Sequence, residues 1–256
     1  MSALRVDINA DAGESFGAWP MGDDARLFPS LTSVNVACGF HAGDPLTMRR
    51  TVRLARENGL GVGAHPGFPD LLGFGRRDLA MSPDELHAAV LYQLGALHAF
   101  VRAEGLELHH VKAHGALHHR MVADADASDA FARAVRDFDP RLPMVVLGGA
   151  GGRLMQEAAE RNGLRAVTEA FPERGYLASG KLAPRSMEGS VVHDPEEAAQ
   201  RAVAMVTTGE IDALDGGSAR IEAQTLCIHG DNPNAPAIAA AIRDALQAAG
   251  VEVKAF

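Results

Sequence analysis

The sequence predicts an α/β fold, a parallel β/α barrel formed by one domain over residues 1–256. Three observations predict it. Short apolar or β-branched runs alternate with longer helix-period segments from end to end, the pattern of repeated βαβ units. No Pro/Ser-rich linker, low-complexity tract or internal repeat divides the 256 residues, a length at which one such barrel is common. Polar residues also recur just beyond the β-like runs, where a parallel barrel gathers all its strand ends on one rim.

Taken in order, the β-like runs fall at 4–8, 34–38, 60–64, 109–112, 143–147, 166–169 and 223–229, with a candidate eighth at 251–253. The first leads into Asn9 and Asp11. The second contains Asn35 and is followed by His41. The third leads to His65, the fourth to Lys112 and His114, the sixth to Glu169, and the seventh to His229 and Asp231. Helical patterns occupy 45–59, 82–105, 152–163, 194–209 and 234–250, each stopped by a glycine. The clearest is 82–105, where Ser82-Pro83-Asp84-Glu85 supplies an N-cap, a proline in the first turn and a glutamate at the third position. Its stripe of Leu86, Val90, Leu94, Leu97 and Val101 has helical spacing. The connections 63–77 and 171–189 are long for this fold, and such loops usually carry function or are disordered.

With 24 basic against 33 acidic residues the net charge is −9, which argues against nucleic acid or an anionic membrane as partner. At 47% hydrophobic residues the chain reads as globular, and burying roughly 70–75% of its unfolded surface needs no staples. It shows no apolar leader-like stretch near Met1, no apolar run long enough for a bilayer, and two cysteines, Cys38 and Cys227, with no metal-type spacing. These features predict a cytoplasmic protein.

One strand-end histidine or aspartate is ordinarily a helix cap or a hydrogen-bonded structural residue. Four histidines (His41, His65, His114 and His229) at such ends change the balance, because imidazoles gathered at one rim are costly unless they bind something. Glycines beside them, in Asp11-Ala-Gly-Glu14, Cys38-Gly-Phe-His-Ala-Gly43 and His114-Gly115, allow close backbone approach to a ligand. His114 and His118 have HxxxH spacing, but histidine is locally abundant, so His118 and His119 are expected at the surface. The run Gly148-Gly-Ala-Gly-Gly152 opens a helix after a strand, yet it lacks the spacing of a phosphate loop. Phe16 and Trp19 are expected to wall the pocket or cover the barrel mouth.

Several of these segments carry a resemblance. Asp7-Ile-Asn-Ala-Asp-Ala-Gly-Glu-Ser-Phe-Gly17, Asn35-Val-Ala-Cys-Gly-Phe-His-Ala-Gly-Asp-Pro45, Gly63-Ala-His-Pro-Gly-Phe-Pro-Asp-Leu-Leu-Gly-Phe-Gly-Arg-Arg77, Val111-Lys-Ala-His-Gly-Ala-Leu117 and Cys227-Ile-His-Gly-Asp-Asn-Pro233 are similar, in order, to the LamB/YcsF family. The sequence departs from that family's usual residues at Ala10, Ala113 and His118, and the segment 171–176 has Pro172-Glu173 where the family has Ala-Asp. The resemblance implies a seven-stranded β/α barrel of the glycoside hydrolase/deacetylase type. It also implies the A subunit of an ATP-dependent 5-oxoprolinase, opening the lactam of 5-oxoproline to L-glutamate. No Walker or kinase-like motif stands in the chain, so ATP is expected to act through the partner B and C subunits, with the activated ring opened here.

On that implication, Asp11, His65, Lys112, His114 and His229 are the expected catalytic residues. Asp11 is base or base-orienting, the imidazoles handle protons or charge, and Lys112 stabilises an anion. Asn9, Glu14, Asn35, His41, Arg76, Arg77 and Asp231 are expected to bind substrate, with Arg76 or Arg77 forking its carboxylate. A divalent metal is compatible with the His/Asp rim, its identity open. Two other readings stand beside this one: a metal-dependent carbohydrate or amide deacetylase, and a non-catalytic scaffold subunit.

Overall fold

Seven parallel strands close into a ring in the computed structural model, which describes residues 4–230 and 232–256. The strands are β1 (Arg5–Ala12), β2 (Ser33–Ala37), β3 (Gly61–His65), β4 (Val111–Lys112), β5 (Met144–Leu147), β6 (Ala166–Ala170) and, after an excursion, β9 (Thr225–Ile228). Each pairs with the next, and β9 pairs back with β1 through Asp7–Thr225 to Ala10–Ile228. The candidate eighth strand exists as β10 (Glu252–Val253) but lies outside the ring. It pairs with Arg5 and Val6 at the start of β1, because β9 already occupies the register above.

Helices α2 (Pro45–Glu57), α3 (Pro83–Ala103), α6 (Arg153–Arg161), α7 (Pro195–Thr207) and α8 (Ala235–Ala248) pack outside, as the glycine stops and apolar stripes require. The N-terminus of α3 is a complete capping box: Ser82 accepts from the Glu85 amide and the Glu85 carboxylate accepts from the Ser82 amide. Elements beyond those expected from the sequence are α1 (Asp24–Leu27), the pair α4 (Gly115–Ala123) and α5 (Ala125–Phe138), and a hairpin of β7 (Glu210–Asp212) and β8 (Ser218–Arg220).

Side chains alternate across each barrel strand. Ile8, Ala10, Val34, Val36 and Val111 are buried among the apolar residues of the core. The alternate set, Asp7, Asn9, Asp11, Asn35, Lys112, Glu169, Thr225 and Cys227, meets in a connected polar network. A polar barrel interior is costly unless each member finds a partner, so this interior fixes where charged groups stand at the rim.

The glycine run 148–152 has a packing role. A Cβ at Gly148 would meet the Glu222 carbonyl at 2.3 Å and one at Gly152 the Leu147 carbonyl at 1.8 Å, so close backbone approach requires glycine at both positions. No helix among the described residues is long and apolar enough to cross a membrane.

Candidate active site

At the C-terminal ends of the strands lies a cavity of about 250 Å³, lined by Asp11, Glu14, His65, Arg76, Lys112, His114, His118, His119, Phe171, Arg174, Arg185 and His229 among others. Parallel register brings these distant segments to one level, with Asp11 beside Asn35 and Ala37 beside His65.

Lys112 is the electrostatic centre. Its ammonium donates to Asp11 Oδ1 at 2.9 Å, to Glu169 Oε1 at 2.9 Å and to Cys227 Sγ at 2.8 Å, using all three hydrogens. Burial works against its charge, but Asp11, Cys227 and Glu169 outweigh it and hold the ammonium well above the ordinary lysine range. One cation serves two carboxyls, and they divide. Burial would push Asp11 up, yet His65 and Lys112 overcome it and keep Asp11 ionised, well below the usual carboxylate range. Glu169 is raised by burial and again by the Asp11 charge, despite Lys112. Beneath them, Asn35 donates to Asp11 Oδ1 at 2.9 Å and to Asn9 Oδ1 at 2.6 Å, while Asn9 donates to Glu169 and Thr225. Asn9 and Asn35 therefore support Asp11 and Glu169 from below and do not line the cavity.

A second group stands beside Asp11. His65 Nε2 lies 3.3 Å from Asp11 Oδ2 and 3.1 Å from His114 Nδ1. His114 is stacked on His41, ring centroids 3.7 Å apart and planes within 2°. Glu14 Oε1 lies 3.8 Å from both His41 Nε2 and His114 Nδ1. Donor atoms of Glu14, His41, His65 and His114 fall within 4.8 Å of one another, a buried cluster able to hold a metal ion. Burial is the main cause that keeps His41 and His114 neutral, with His114 brought down to about 3. The loop 63–77 packs this tightly because of its glycines. Gly75, at φ +63°, passes so close that a Cβ would sit 2.8 Å from both His41 Cβ and His114 Cδ2; one at Gly67 would sit 2.9 Å from His41 Nδ1.

The opposite wall carries His229, stacked on Phe171 with centroids 5.6 Å apart. Its amide donates to Glu173 Oε2 at 2.9 Å, and its Nδ1 lies 3.5 Å from the same oxygen. Arg76 lines the mouth with its guanidinium 5.0 Å from the Phe74 ring. Arg77 points elsewhere: its guanidinium is bound to Asp70, outside the cavity, so the two adjacent arginines part company. His118 corrects the surface expectation. It is buried in the cavity wall, and burial brings it to about 3, whereas His119 is exposed at the mouth. Trp19 is largely exposed, stacked on Phe16, and neither lines the cavity. Asp231 lies outside the described residues.

Glu173 and Arg174 were not among the expected site residues. Both are buried: Glu173 fixes His229, and Arg174 donates to the Ser190 and Ala183 carbonyls while lining the cavity. Burial and nearby Arg185 lower the guanidinium to about 10, so it stays charged at neutral pH. The sole sequence signal was their place in a long connection.

Comparison with known proteins adds a consistent set of relatives. The LamB/YcsF family model matches residues 6–256. The chain is 59% identical over 253 residues to the A subunit of 5-oxoprolinase from Thermus thermophilus, covering 99% of this chain and 100% of that one. It is 58% identical over 250 residues to the A subunit of 5-oxoprolinase from Deinococcus radiodurans, covering 98% and 96%. The crystal structure of a lactam utilization protein from Thermus thermophilus superposes with a TM-score of 0.94 at 58% identity, covering 99% of this chain and all of that one.

Proposed function

Since the chain belongs to the LamB/YcsF family, we propose that it is the A subunit of an ATP-dependent 5-oxoprolinase, opening an activated 5-oxoproline ring to L-glutamate. The observation that carries the reading is the convergence of Asp11, His65, Lys112, His114 and His229 on one small cavity, in a chain so similar to proteins named for lactam use. The guanidinium groups of Arg76, Arg174 and Arg185 in the cavity wall suit an anionic ligand, although the whole molecule carries −9.

The chemical obstacle is the resonance-stabilised lactam. ATP, used on the partner B and C subunits, phosphorylates the ring oxygen and releases ADP. Water then adds to the ring carbon, the C–N bond breaks with a proton passing to nitrogen, and a second water cleaves the resulting acyl phosphate to glutamate and phosphate. Asp11, ionised beside Lys112, takes the proton of the attacking water. His65 and His114 face the developing negative charge. His229, held by Glu173, donates the proton to the leaving nitrogen, and Arg76 forks the substrate carboxylate.

Glutamate release is the test, assayed with this chain alone and with the B and C subunits, each with and without ATP. Release should require all components. Turnover of 5-oxoproline by the isolated chain would overturn the division of labour. Asp11→Asn should leave the complex assembled and lower turnover by about 10²–10⁴-fold; unchanged turnover would reduce this chain to a scaffold.

A further inference from the structure

We infer that Glu14, His41, His65 and His114 form a binding site for one divalent ion of the zinc class. The inference stands on donor geometry and is independent of the lactam reading. His65 Nδ1 lies 2.9 Å from the Lys112 carbonyl, and His114 Nε2 lies 2.8 Å from the Phe74 carbonyl. A carbonyl only accepts, so each of these nitrogens carries the hydrogen. The opposite nitrogens, His65 Nε2 and His114 Nδ1, face each other across 3.1 Å on the side of Glu14 and His41.

Imidazoles anchored to backbone carbonyls through their outer N–H are the usual supporting arrangement around a metal. His41 adds the second observation. It is fully buried, and neither ring nitrogen has a hydrogen-bond partner among the described residues. A buried imidazole left so is expensive unless it serves as a ligand. Glu14 contributes the carboxylate, 3.8 Å from His41 Nε2 and from His114 Nδ1.

Three nitrogens and one oxygen suit zinc, cobalt(II) or a similar ion, and not magnesium or calcium, which prefer all-oxygen shells. The stacking of His41 on His114 sets one requirement. With the planes parallel, an ion in the plane of one ring is out of the plane of the other, so His41, held by no hydrogen bond, must tilt on binding. Asp11, 3.3 Å from His65 Nε2, is then a carboxylate beside the ion and outside its donor set. An ion here supplies fixed positive charge on the wall where His65 and His114 face the cavity.

The test is calorimetric titration of untagged, chelator-stripped protein with Zn²⁺, together with visible spectroscopy of the Co²⁺ form. The expected result is one ion per chain, and cobalt bands of a low-symmetry, nitrogen-rich site that saturate at the same ratio. His41→Ala and His114→Ala should each weaken binding by about 100-fold or more, while His87→Ala, in a surface ion pair on α3, should bind as before. The cobalt spectrum needs no variant, so a misfolded substitution does not blunt the test. No saturable uptake of either ion by the wild-type chain would overturn the site and leave a proton shared between His65 and His114. Wild-type affinity in His41→Ala would overturn the four-donor set. Neither readout involves glutamate, so loss of the lactam reading leaves the metal result standing, and the reverse.

Discussion

Lys112 gives its three ammonium hydrogens to Asp11, Glu169 and Cys227, so replacing it strands an ionised carboxylate in a nearly dry site. Lys112→Met should lower stability by about 3–5 kcal/mol in urea titrations and remove turnover. Glu169 sits on the other side of the balance, because burial and Asp11 already push it towards its neutral form. Glu169→Gln keeps the shape and the neutral charge and should cost no more than about 1.5 kcal/mol. Equal losses in the two variants would mean that Glu169 carries a full charge. His118 sets a pH dependence. Burial holds it at about 3 against an unfolded value of 6.5, so between those limits the unfolded chain binds the extra proton. Stability should therefore fall on acidification below pH 6.5, by up to about 1.4 kcal/mol per pH unit from this residue. His118→Gln should flatten the curve of urea midpoint against pH between 7 and 5; an unchanged slope would show that His118 is protonated in the fold.

Gly75 and Ser82, only seven residues apart, separate function from stability. Gly75 lies in the left-handed region with His41 and His114 packed on its α-carbon, so Gly75→Ala strains the loop and displaces both rings. The expected cost is about 1–3 kcal/mol with a fall in turnover. Ser82 caps α3 on the outside of the barrel, and Ser82→Ala should cost about 1 kcal/mol in thermal or urea unfolding with turnover intact. If Gly75→Ala lost stability alone, the glycine would be serving the loop and not the imidazoles. Elements also differ in how well their signals reach the sequence. The α3 cap is written in four consecutive residues, and β2 is a short β-branched run buried throughout. By contrast α4 and α5 are joined by Asp124, which closes one helix and caps the next, with no glycine or proline between them. Of the two, α5 has a marked apolar stripe and is hidden only by the missing break before it, whereas the stripe of α4 is weak.

For the whole molecule, strand order and rim position are legible because they follow from alternation along the chain, and they bring Asp11, His65, Lys112, His114 and His229 together. Partner choice is not. Nothing local distinguishes Arg76 from Arg77 until Asp70 takes one of them, and Glu173 matters through His229, which is 56 residues away. The role of the last strand is likewise a property of the closed ring. Once β9 pairs with β1 the barrel is complete, and β10 adds a short parallel ladder beside Arg5 and Val6, flanked by bonds from the Glu252 amide to the Leu4 carbonyl and from the Lys254 amide to the Val6 carbonyl. These lie at the N-terminal end of β1, whereas Asp11 stands at its other end, about six residues or roughly 20 Å along the strand. A hydrogen-bonded line does run between the ends, from Asp11 through Asn35 and His110 to His109 and the Phe256 carbonyl. Its inner members are held independently, since Asn35 also binds Asn9. Removing residues 252–256 should therefore cost about 2–3 kcal/mol, from the short β10 ladder, the His109 bond to the Phe256 carbonyl and the Phe256 packing, while KM and kcat in the assembled enzyme stay near wild type. Should the truncated chain retain its stability but lose turnover, the polar line through the barrel would be transmitting to Asp11, and the ring would not be the self-sufficient scaffold that its closure implies.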